Sequence, residues 1–226
     1  MDDSLDKLVI FLAKRDGIDK LVKTFQYVSK LVAWRIASTQ PHHAQRFKQW
    51  EIASGLSRKA FRTGRFLTGF NSLRTNTGSS PGLRTLAVLA CAGEMVYFFF
   101  DHFSWLSKIG FLEPSVAKKS CFISAFGESF GYVFFIIADV VVMLESLRED
   151  RKLMENDGGE EAAKRVKKQR IDRVMRLMAI AANLADFIIA LSEIEPNRFC
   201  NHTVTLGISG LVSAWAGWYR LWPSKY

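Results

Sequence analysis

The segment 55–74, GLSRKAFRTGRFLTGFNSLR, carries the pattern that decides the fold. Wound as a helix at about 100° per residue, it places an apolar stripe on one face, formed by Leu56, Ala60, Thr63, Phe66, Leu67, Phe70 and Leu73. Arg58, Arg62 and Arg65 stack on the opposite face, and Lys59 lies at the apolar edge. The segment therefore predicts an amphipathic helix whose polar face is entirely cationic.

The charge of this region favours a membrane surface over the surface of a soluble protein. Between residues 52 and 93 the sequence has six basic residues and no acidic one. An apolar face opposite a cationic face is typical of helices that lie in an anionic membrane surface. The alternative is a core-facing helix of a soluble bundle with solvated cations, but soluble helices usually mix both signs of charge on the wet face.

Two glycines weaken this helix in water, because Gly64 and Gly69 each cost about 1 kcal/mol in a helix interior. We therefore expect the helix to form on contact with lipid. The predicted membrane-binding residues are Leu56, Arg58, Lys59, Arg62, Arg65, Phe66, Leu67, Phe70 and Leu73.

The composition excludes a disordered chain and an ordinary soluble domain. Of the 226 residues, 49% are hydrophobic, with 18 Phe and 6 Trp, yet 23% are charged and the net charge is +9. A basic balance indicates either nucleic acid or an anionic membrane as the partner. The aromatic content and the long apolar runs favour membrane lipids. A nucleic-acid binder rests on the net charge alone, so we predict no nucleic-acid partner.

Hydrophobic periodicity divides the chain into helices. Before residue 82 it predicts helices at 4–15, 18–37 and 44–73, followed by a turn-rich break at 76–82. Beyond that break, apolar segments long enough to span a bilayer are predicted at 84–107, 123–146, 174–194 and 203–222.

Charged and aromatic residues distinguish these apolar segments. Glu94, Asp101, Asp139 and Asp186 interrupt the first three, and such acids are costly in lipid unless they face protein or water. For 84–107 and 174–194 the alternative is therefore an amphipathic helix that packs on the other segments. The last segment has no charge over 203–219, and near its end is a cluster typical of an interfacial aromatic belt, formed by Trp215, Trp218, Tyr219, Arg220, Trp222 and Lys225. An unusually aromatic soluble bundle is the alternative, and the charge-free segment argues against it.

The predicted fold is all-α, with N-terminal amphipathic helices followed by a membrane-embedded helical bundle of two to four spans. Residues 1–82 form the N-terminal cytosolic or membrane-surface region, and residues 83–226 form the membrane-embedded region. The charged segment 148–176, with a hinge at Gly158 and Gly159, is predicted to be a cytosolic loop. Because short segments rich in Lys and Arg resist translocation, we expect this loop and both termini to be cytosolic.

Two pairs of glycines are candidates for close helix packing in lipid. Gly127 and Gly131 form one pair, and Gly207 and Gly210 form the other. We expect the first pair to support self-association into a homo-oligomer. Glu128, which lies between Gly127 and Gly131, offers the alternative that this segment sets the orientation of its helix.

Motifs that carry chemistry are absent from the sequence. It contains none of the phosphate-binding, dinucleotide-binding, nucleophile-elbow or zinc-protease patterns. Cys91, Cys121 and Cys200 are far apart, and no Cys and His residues have metal-ligand spacing. We therefore predict that the protein is not an enzyme and that it uses no cofactor and no metal.

Three stretches resemble the peroxin-eleven family of peroxisomal membrane proteins, and its plant-type members most of all. The first is FLAKRDGIDKLVK at 11–23, followed by Gln26, Tyr27 and Lys30. The second is SRKAFR at 57–62, with GRF at 64–66 and LR at 73–74. The third is YFFFDHFSWL at 97–106, followed by KIG at 108–110. The C-terminal half resembles the family mainly in its layout.

The resemblance implies a multi-pass peroxisomal membrane protein with both termini in the cytosol. It implies that the amphipathic helix inserts into the cytosolic leaflet, bends the membrane and elongates the organelle before fission. It also implies homo-oligomers and contact with the fission machinery, a dynamin-related GTPase and its membrane adaptor. The alternative function is a peroxisomal membrane channel for small solutes, which the acids within the apolar segments favour.

Overall fold

The computed structural model describes residues 4–75, 80–156, 159–195 and 197–223, and every regular element within these ranges is an α-helix. The helices are α1 Ser4–Leu12, α2 Arg15–Ile36, α3 Pro41–Phe61, α4 Phe66–Thr75, α5 Pro81–Lys108, α6 Pro114–Asn156, α7 Glu160–Ile194 and α8 Thr203–Leu221. The prediction of an all-α fold with membrane helices is confirmed. Most of the predicted break at 76–82 and the hinge residue Gly158 lie outside the described residues.

The predicted continuous helix at 44–73 is wrong, because the chain turns between α3 and α4. Residues 62–65 form this turn, in which the Arg65 N–H donates to the Arg62 carbonyl at 2.9 Å. Gly64 adopts a φ of 73°, a left-handed conformation that glycine tolerates without steric cost. Gly64, which is predicted from the sequence to weaken a helix, therefore lies in the turn that follows α3.

Three helices in the described part of the chain are long and apolar enough to cross a membrane: Pro81–Lys108, Pro114–Leu153 and Ala163–Ile194. They contain the predicted spans at 84–107, 123–146 and 174–194. The predicted span at 203–222 corresponds to α8, which is not among the three. It lacks acidic residues, but its Gly, Ser, Thr and Trp residues keep its average hydropathy low.

Six of the helices form a closed ring, called the helix ring here. Around it, α5 packs on α6, α6 on α7, α7 on α8, α8 on α2, α2 on α3, and α3 on α5. Each neighbouring pair is antiparallel, as shown for α2 and α8 by Gly210 beside Tyr27 and Gly217 beside Lys20. The division predicted at residue 82 remains a prediction, and helices on both sides of it contribute to the ring.

The segment predicted as a charged loop at 148–176 is helical on both sides of the turn near residue 159. It consists of the ends of α6 and α7, which pair beyond the ring and are called the basic arm (148–156 and 159–176). Arg173 bonds Asp150 at 2.6 Å and Arg176 bonds Asp139 at 2.7 Å. The Arg173–Asp150 bond extends the antiparallel pair past the apolar part of the two helices, and the Arg176–Asp139 bond lies within that part.

Glycines let neighbouring helices of the ring approach closely. A Cβ atom added to Gly93 of α5 would lie 2.5 Å from the backbone nitrogen of Gly131 and 2.7 Å from the carbonyl oxygen of Gly127. Gly207 and Gly210 of α8 pack in the same way against Leu31 and Tyr27 of α2. Helices of the same chain therefore pack against the glycines that were predicted to be helix-packing residues.

We expect Gly93→Ala to destabilise the protein by about 1–3 kcal/mol, because the added methyl group forces α5 and α6 apart. Gly82→Ala is the matched control, since a Cβ atom at Gly82 meets nothing within 4 Å. The measurement is the midpoint of thermal unfolding in detergent micelles. Equal midpoints for the two variants would show that the close approach of α5 and α6 contributes nothing to stability.

Candidate membrane-binding site and the interior ion pairs

The predicted membrane-binding residues fall on α3, on the following turn and on α4, and the structure separates the apolar ones from the cations. Leu67 and Phe70 of α4 are 57% and 59% exposed on the outer surface. Phe66 packs edge-on against Phe99 of α5, with ring centroids 5.8 Å apart. Leu56 and Leu73 are half-buried.

Arg58 lies inside the helix ring rather than on its surface. Its side chain is buried, and its Nε donates to Asp19 Oδ1 of α2 at 3.1 Å. Its Nη1 donates to Gln26 Oε1 at 2.8 Å. A cation that the sequence alone placed opposite the apolar face is therefore paired within the protein.

The other three predicted cations also contact the protein. Lys59 forms an ion pair with Asp101 of α5. Arg62 donates to the Tyr97 hydroxyl and lies 3.6 Å from both Asp19 and Asp101. Arg65 bonds Asp16 at 2.8 Å, and its guanidinium lies 4.8 Å from the centre of the Phe98 ring. Binding of these cations to lipid remains a prediction.

A second cluster of charges joins α2 to α7 and α8. Lys23 Nζ donates to Asp186 Oδ1 at 2.5 Å and to Ser213 Oγ at 2.6 Å. Ser213 in turn donates to Asp186 Oδ2 at 2.6 Å. Together with the pairs around Asp19 and Asp101, this cluster forms what we call the interior ion-pair network.

Two cavities lie along this network. The smaller, about 340 Å³, is lined by residues that include Lys59, Arg62, Asp101 and Glu193. The larger, about 540 Å³, is lined by residues that include Asp19, Lys23, Glu94, Asp139 and Asp186. Charged side chains of both signs thus surround the interior space, which makes it polar although the helices that enclose it are largely apolar outside.

The predicted aromatic belt is divided between the surface and a contact with α1. Trp215 and Tyr219 are exposed, and Lys225 lies outside the described residues. Trp218 packs against Phe11 with ring centroids 4.4 Å apart, and Trp222 stacks on Trp218 at 6.3 Å. The two packed tryptophans therefore fix α1 against the C-terminal end of α8.

The acidic partners of the cations are residues to which the sequence gave no role at this site. Asp19, Lys23 and Lys30 recur along one face of α2, opposite its apolar side chains, and this polar stripe is visible in the sequence. Its partners are visible only in three dimensions, because Asp19 and Arg58 are separated by 39 positions, and Lys23 and Asp186 by 163.

The exposed apolar residues and the charged interior define the class of this chain as a helical membrane protein. The model of the peroxisomal biogenesis factor 11 (PEX11) family matches residues 5–222. The chain belongs to this family, as its three sequence stretches predicted.

Its relatives extend over essentially the whole chain. Peroxisomal membrane protein 11B of Arabidopsis thaliana is 65% identical over 98% of this chain and 99% of its own length. Peroxisomal membrane protein 11-4 of Oryza sativa subsp. indica is 66% identical, with 98% of each chain covered. A peroxisomal membrane protein 11 homolog of Dictyostelium discoideum is 26% identical over 97% of this chain and 94% of its own. No solved structure matches the chain.

We expect Arg58→Leu to lower the free energy of unfolding by about 3–5 kcal/mol, since it leaves the buried Asp19 carboxylate without its main partner. The double variant Asp19→Asn/Arg58→Leu should recover part of this loss. Arg74→Leu is the control, because Arg74 is exposed at the end of α4. Denaturant unfolding in micelles measures the difference, and equal stability of Arg58→Leu and Arg74→Leu would contradict the role of the ion pair.

Proposed function

We propose that this protein is a multi-pass peroxisomal membrane protein that curves and elongates the membrane before the organelle divides and proliferates. The peroxisomal location is supported by the names of its relatives. The remodelling mechanism is supported by one structural observation, the position of the two short helices α1 and α4. Helix α1 lies at the end of the helix ring from which the basic arm extends, and α4 lies along the outer side of α5.

The positions of α1 and α4 follow from their contacts. Phe11 of α1 packs on Trp218 near the C-terminus of α8. Phe66 of α4 packs on Phe99, and Gly69 packs on Met95 and on the Cys91 carbonyl, so α4 begins beside the C-terminal half of α5 and runs toward its N-terminal half. Because neighbouring helices are antiparallel, these parts of α8 and α5 lie beside the halves of α7 and α6 that lead into the arm. Helix α1 therefore widens the protein at the arm end, and α4 widens it from the middle of the ring toward that end.

The exposed side chains of these short helices suit insertion between lipids. On α1 they are Leu5, Val9 and Ile10, and on α4 they are Leu67 and Phe70. Full burial of one such side chain contributes about 1.5–3 kcal/mol. Apolar volume inserted into one leaflet expands that leaflet relative to the other. The membrane then becomes convex on the side that bears the arm.

The partners proposed for this function are lipids, further copies of the chain and the fission machinery. Arg74 and Arg84 are exposed at the arm end and are placed to meet anionic headgroups. In a homo-oligomer, the small expansion of the leaflet caused by each copy would add to the expansion caused by its neighbours. A dynamin-related GTPase and its membrane adaptor are proposed from the family resemblance.

We expect Leu67→Ala/Phe70→Ala to abolish most membrane elongation, since it removes the apolar side chains that widen one leaflet. The matched control is Ile109→Ala/Phe111→Ala in the α5–α6 connection, whose side chains are 51% and 75% exposed at the opposite end. The measurement is the length of tubules drawn from vesicles that contain each variant at equal density. If the α4 variant forms tubules as long as those of the unaltered protein, the wedge mechanism is wrong.

A solute channel is the second candidate function, and the two charge-lined cavities inside the helix ring favour it. Asp101 and Asp186 are unsuitable for a test, because each has a buried lysine or arginine partner. Glu94 lines the larger cavity. We therefore expect Glu94→Gln to reduce cation flux into sealed proteoliposomes if the cavities conduct, measured with a fluorescent cation indicator inside the vesicles. Vesicles that admit no small solutes with the unaltered protein would exclude the channel.

A further inference from the structure

We propose that α2, α3 and α8 cross the membrane together with α5, α6 and α7, so that the outer face of the whole helix ring contacts lipid hydrocarbon. The N-terminal region would then be embedded rather than resting on the surface. This proposal concerns topology and is independent of whether the protein remodels membranes or conducts solutes.

The first observation is that α2 has its polar residues inside and its apolar residues outside. Its buried residues are Gly17, Asp19, Lys23, Tyr27 and Ser29. Its exposed large apolar residues are Phe25, Val28 and Trp34. A soluble helix buries its apolar stripe and exposes its charged side chains to water. The opposite arrangement suits a helix that lies between a polar interior and lipid.

The same inversion continues on α3 and α8. The buried residues of α3 are Glu51, Ser54 and Arg58, and its exposed large apolar residues are Trp50, Ile52 and Phe61. On α8 the inner side has serine and glycine, while Ile208, Val212 and Trp215 are exposed. Phe25 and Trp50 meet on the outer surface with ring centroids 5.7 Å apart, which joins α2 and α3 into one apolar patch.

The second observation fixes the depth of α2 and α3. Asp101 and Asp186 belong to α5 and α7, two of the helices that are long and apolar enough to cross a membrane. An acid inside a span needs a partner at its own depth. The partners are Lys59 of α3 and Lys23 of α2. Because these cations reach the acids directly, the helices that carry them lie beside the spans and not above them.

The third observation is length. With 22 residues in α2 and 19 in α8, a rise of about 1.5 Å per residue gives lengths near the roughly 30 Å of the hydrocarbon core. The first turns of α3 carry exposed polar residues such as His42 and Arg46, so only the rest of this helix counts toward a span. Helix α4 adds to that length, because it continues the path of α3 along α5 toward the arm end. Hydropathy alone misses these spans, because it averages a polar inner face, charged on α2 and α3 and rich in serine and glycine on α8, with the apolar outer face.

The distribution of charge agrees with six spans. At the end of the ring away from the arm, the connections 37–40, 109–113 and 195–202 contain one Lys or Arg, Arg198. The adjoining helix ends add six exposed ones: Arg35, Arg46, Lys48, Lys108, Lys118 and Lys119. On the arm side, Lys14, Arg15, Arg74, Arg84 and Arg220 are exposed outside the arm itself. The arm segment 148–176 contains ten Lys and Arg residues. Such an asymmetry places the arm in the cytosol. The described ends of the chain lie on the arm side as well, because six antiparallel helices return the chain to the side on which it started.

The test is the accessibility of single cysteines in the full-length protein on intact organelles, with Cys91, Cys121 and Cys200 changed to Ser. Thr39→Cys, Glu113→Cys and Lys167→Cys report on the α2–α3 connection, the α5–α6 connection and the arm. A maleimide attached to a 5-kDa-class polymer, which does not cross membranes, is the probe. We expect Lys167→Cys to be modified on intact organelles, and both Thr39→Cys and Glu113→Cys only after permeabilisation.

Modification of Thr39→Cys on intact organelles as fast as Lys167→Cys would overturn the proposal, because the α2–α3 hairpin would then lie on the cytosolic side. Should the cysteine-free background fail to fold, each new cysteine is placed in the unaltered chain. Cys91 and Cys200 are buried there. The shift in gel mobility that the polymer causes in each variant is compared with the shift in the unaltered chain.

A second measurement tests which molecules cover the outer face. In a variant that keeps Trp50 as its single tryptophan, brominated phosphatidylcholine should quench the fluorescence strongly. A variant that keeps only Trp218, which is packed between Phe11 and Trp222, is the matched control and should be quenched less. Equal, weak quenching of both would show that another protein surface, such as a second copy, covers α2 and α3, and would overturn the assignment to lipid.

Discussion

The pairing of opposite charges inside the helix ring is the interaction on which the rest of the structure depends. Asp101 with Lys59 and Asp186 with Lys23 connect the N-terminal helices to α5 and α7, and Asp19 with Arg58 connects α2 to α3. An unpaired charge away from water costs several kcal/mol, so each partner constrains where the other can lie. Removing one member would free a helix of the ring, and the cavities between the helices would lose their polar walls.

This arrangement explains how a chain with 23% charged residues belongs to a membrane protein. Many of the charges between Asp16 and Arg65 are turned inward, and those of the arm extend beyond the apolar part of α6 and α7. Small residues complete the packing, since Gly93, Gly127 and Gly131 bring α5 and α6 into backbone contact. Helices in lipid gain little from burying apolar surface against each other, so close packing and polar contacts must stabilise them.

The same fold gives the protein two unlike ends. The arm end carries α1 and most of the exposed cations, whereas the other end has short connections and fewer exposed cations. A molecule that is asymmetric across a bilayer is suited to act on the two leaflets differently, and the polar interior is a separate feature of the ring. The proposed curvature and the alternative of conduction would therefore depend on different parts of the structure, the first on the exposed short helices and the second on the cavities.

The sequence by itself determined the all-α class, the apolar segments of α5, α6 and α7, and the family, because periodicity, hydropathy and short motifs are local properties. It also identified Arg58, Lys59 and Arg62 as an unusual group of cations. Only the tertiary structure decided which way these cations point. A helical pattern shows that charged and apolar residues lie on opposite faces, but not which face is inside. The cations point inward because Asp19 and Asp101 bind them there. These acids are far from the cations along the chain, so no local sequence pattern shows the pairing.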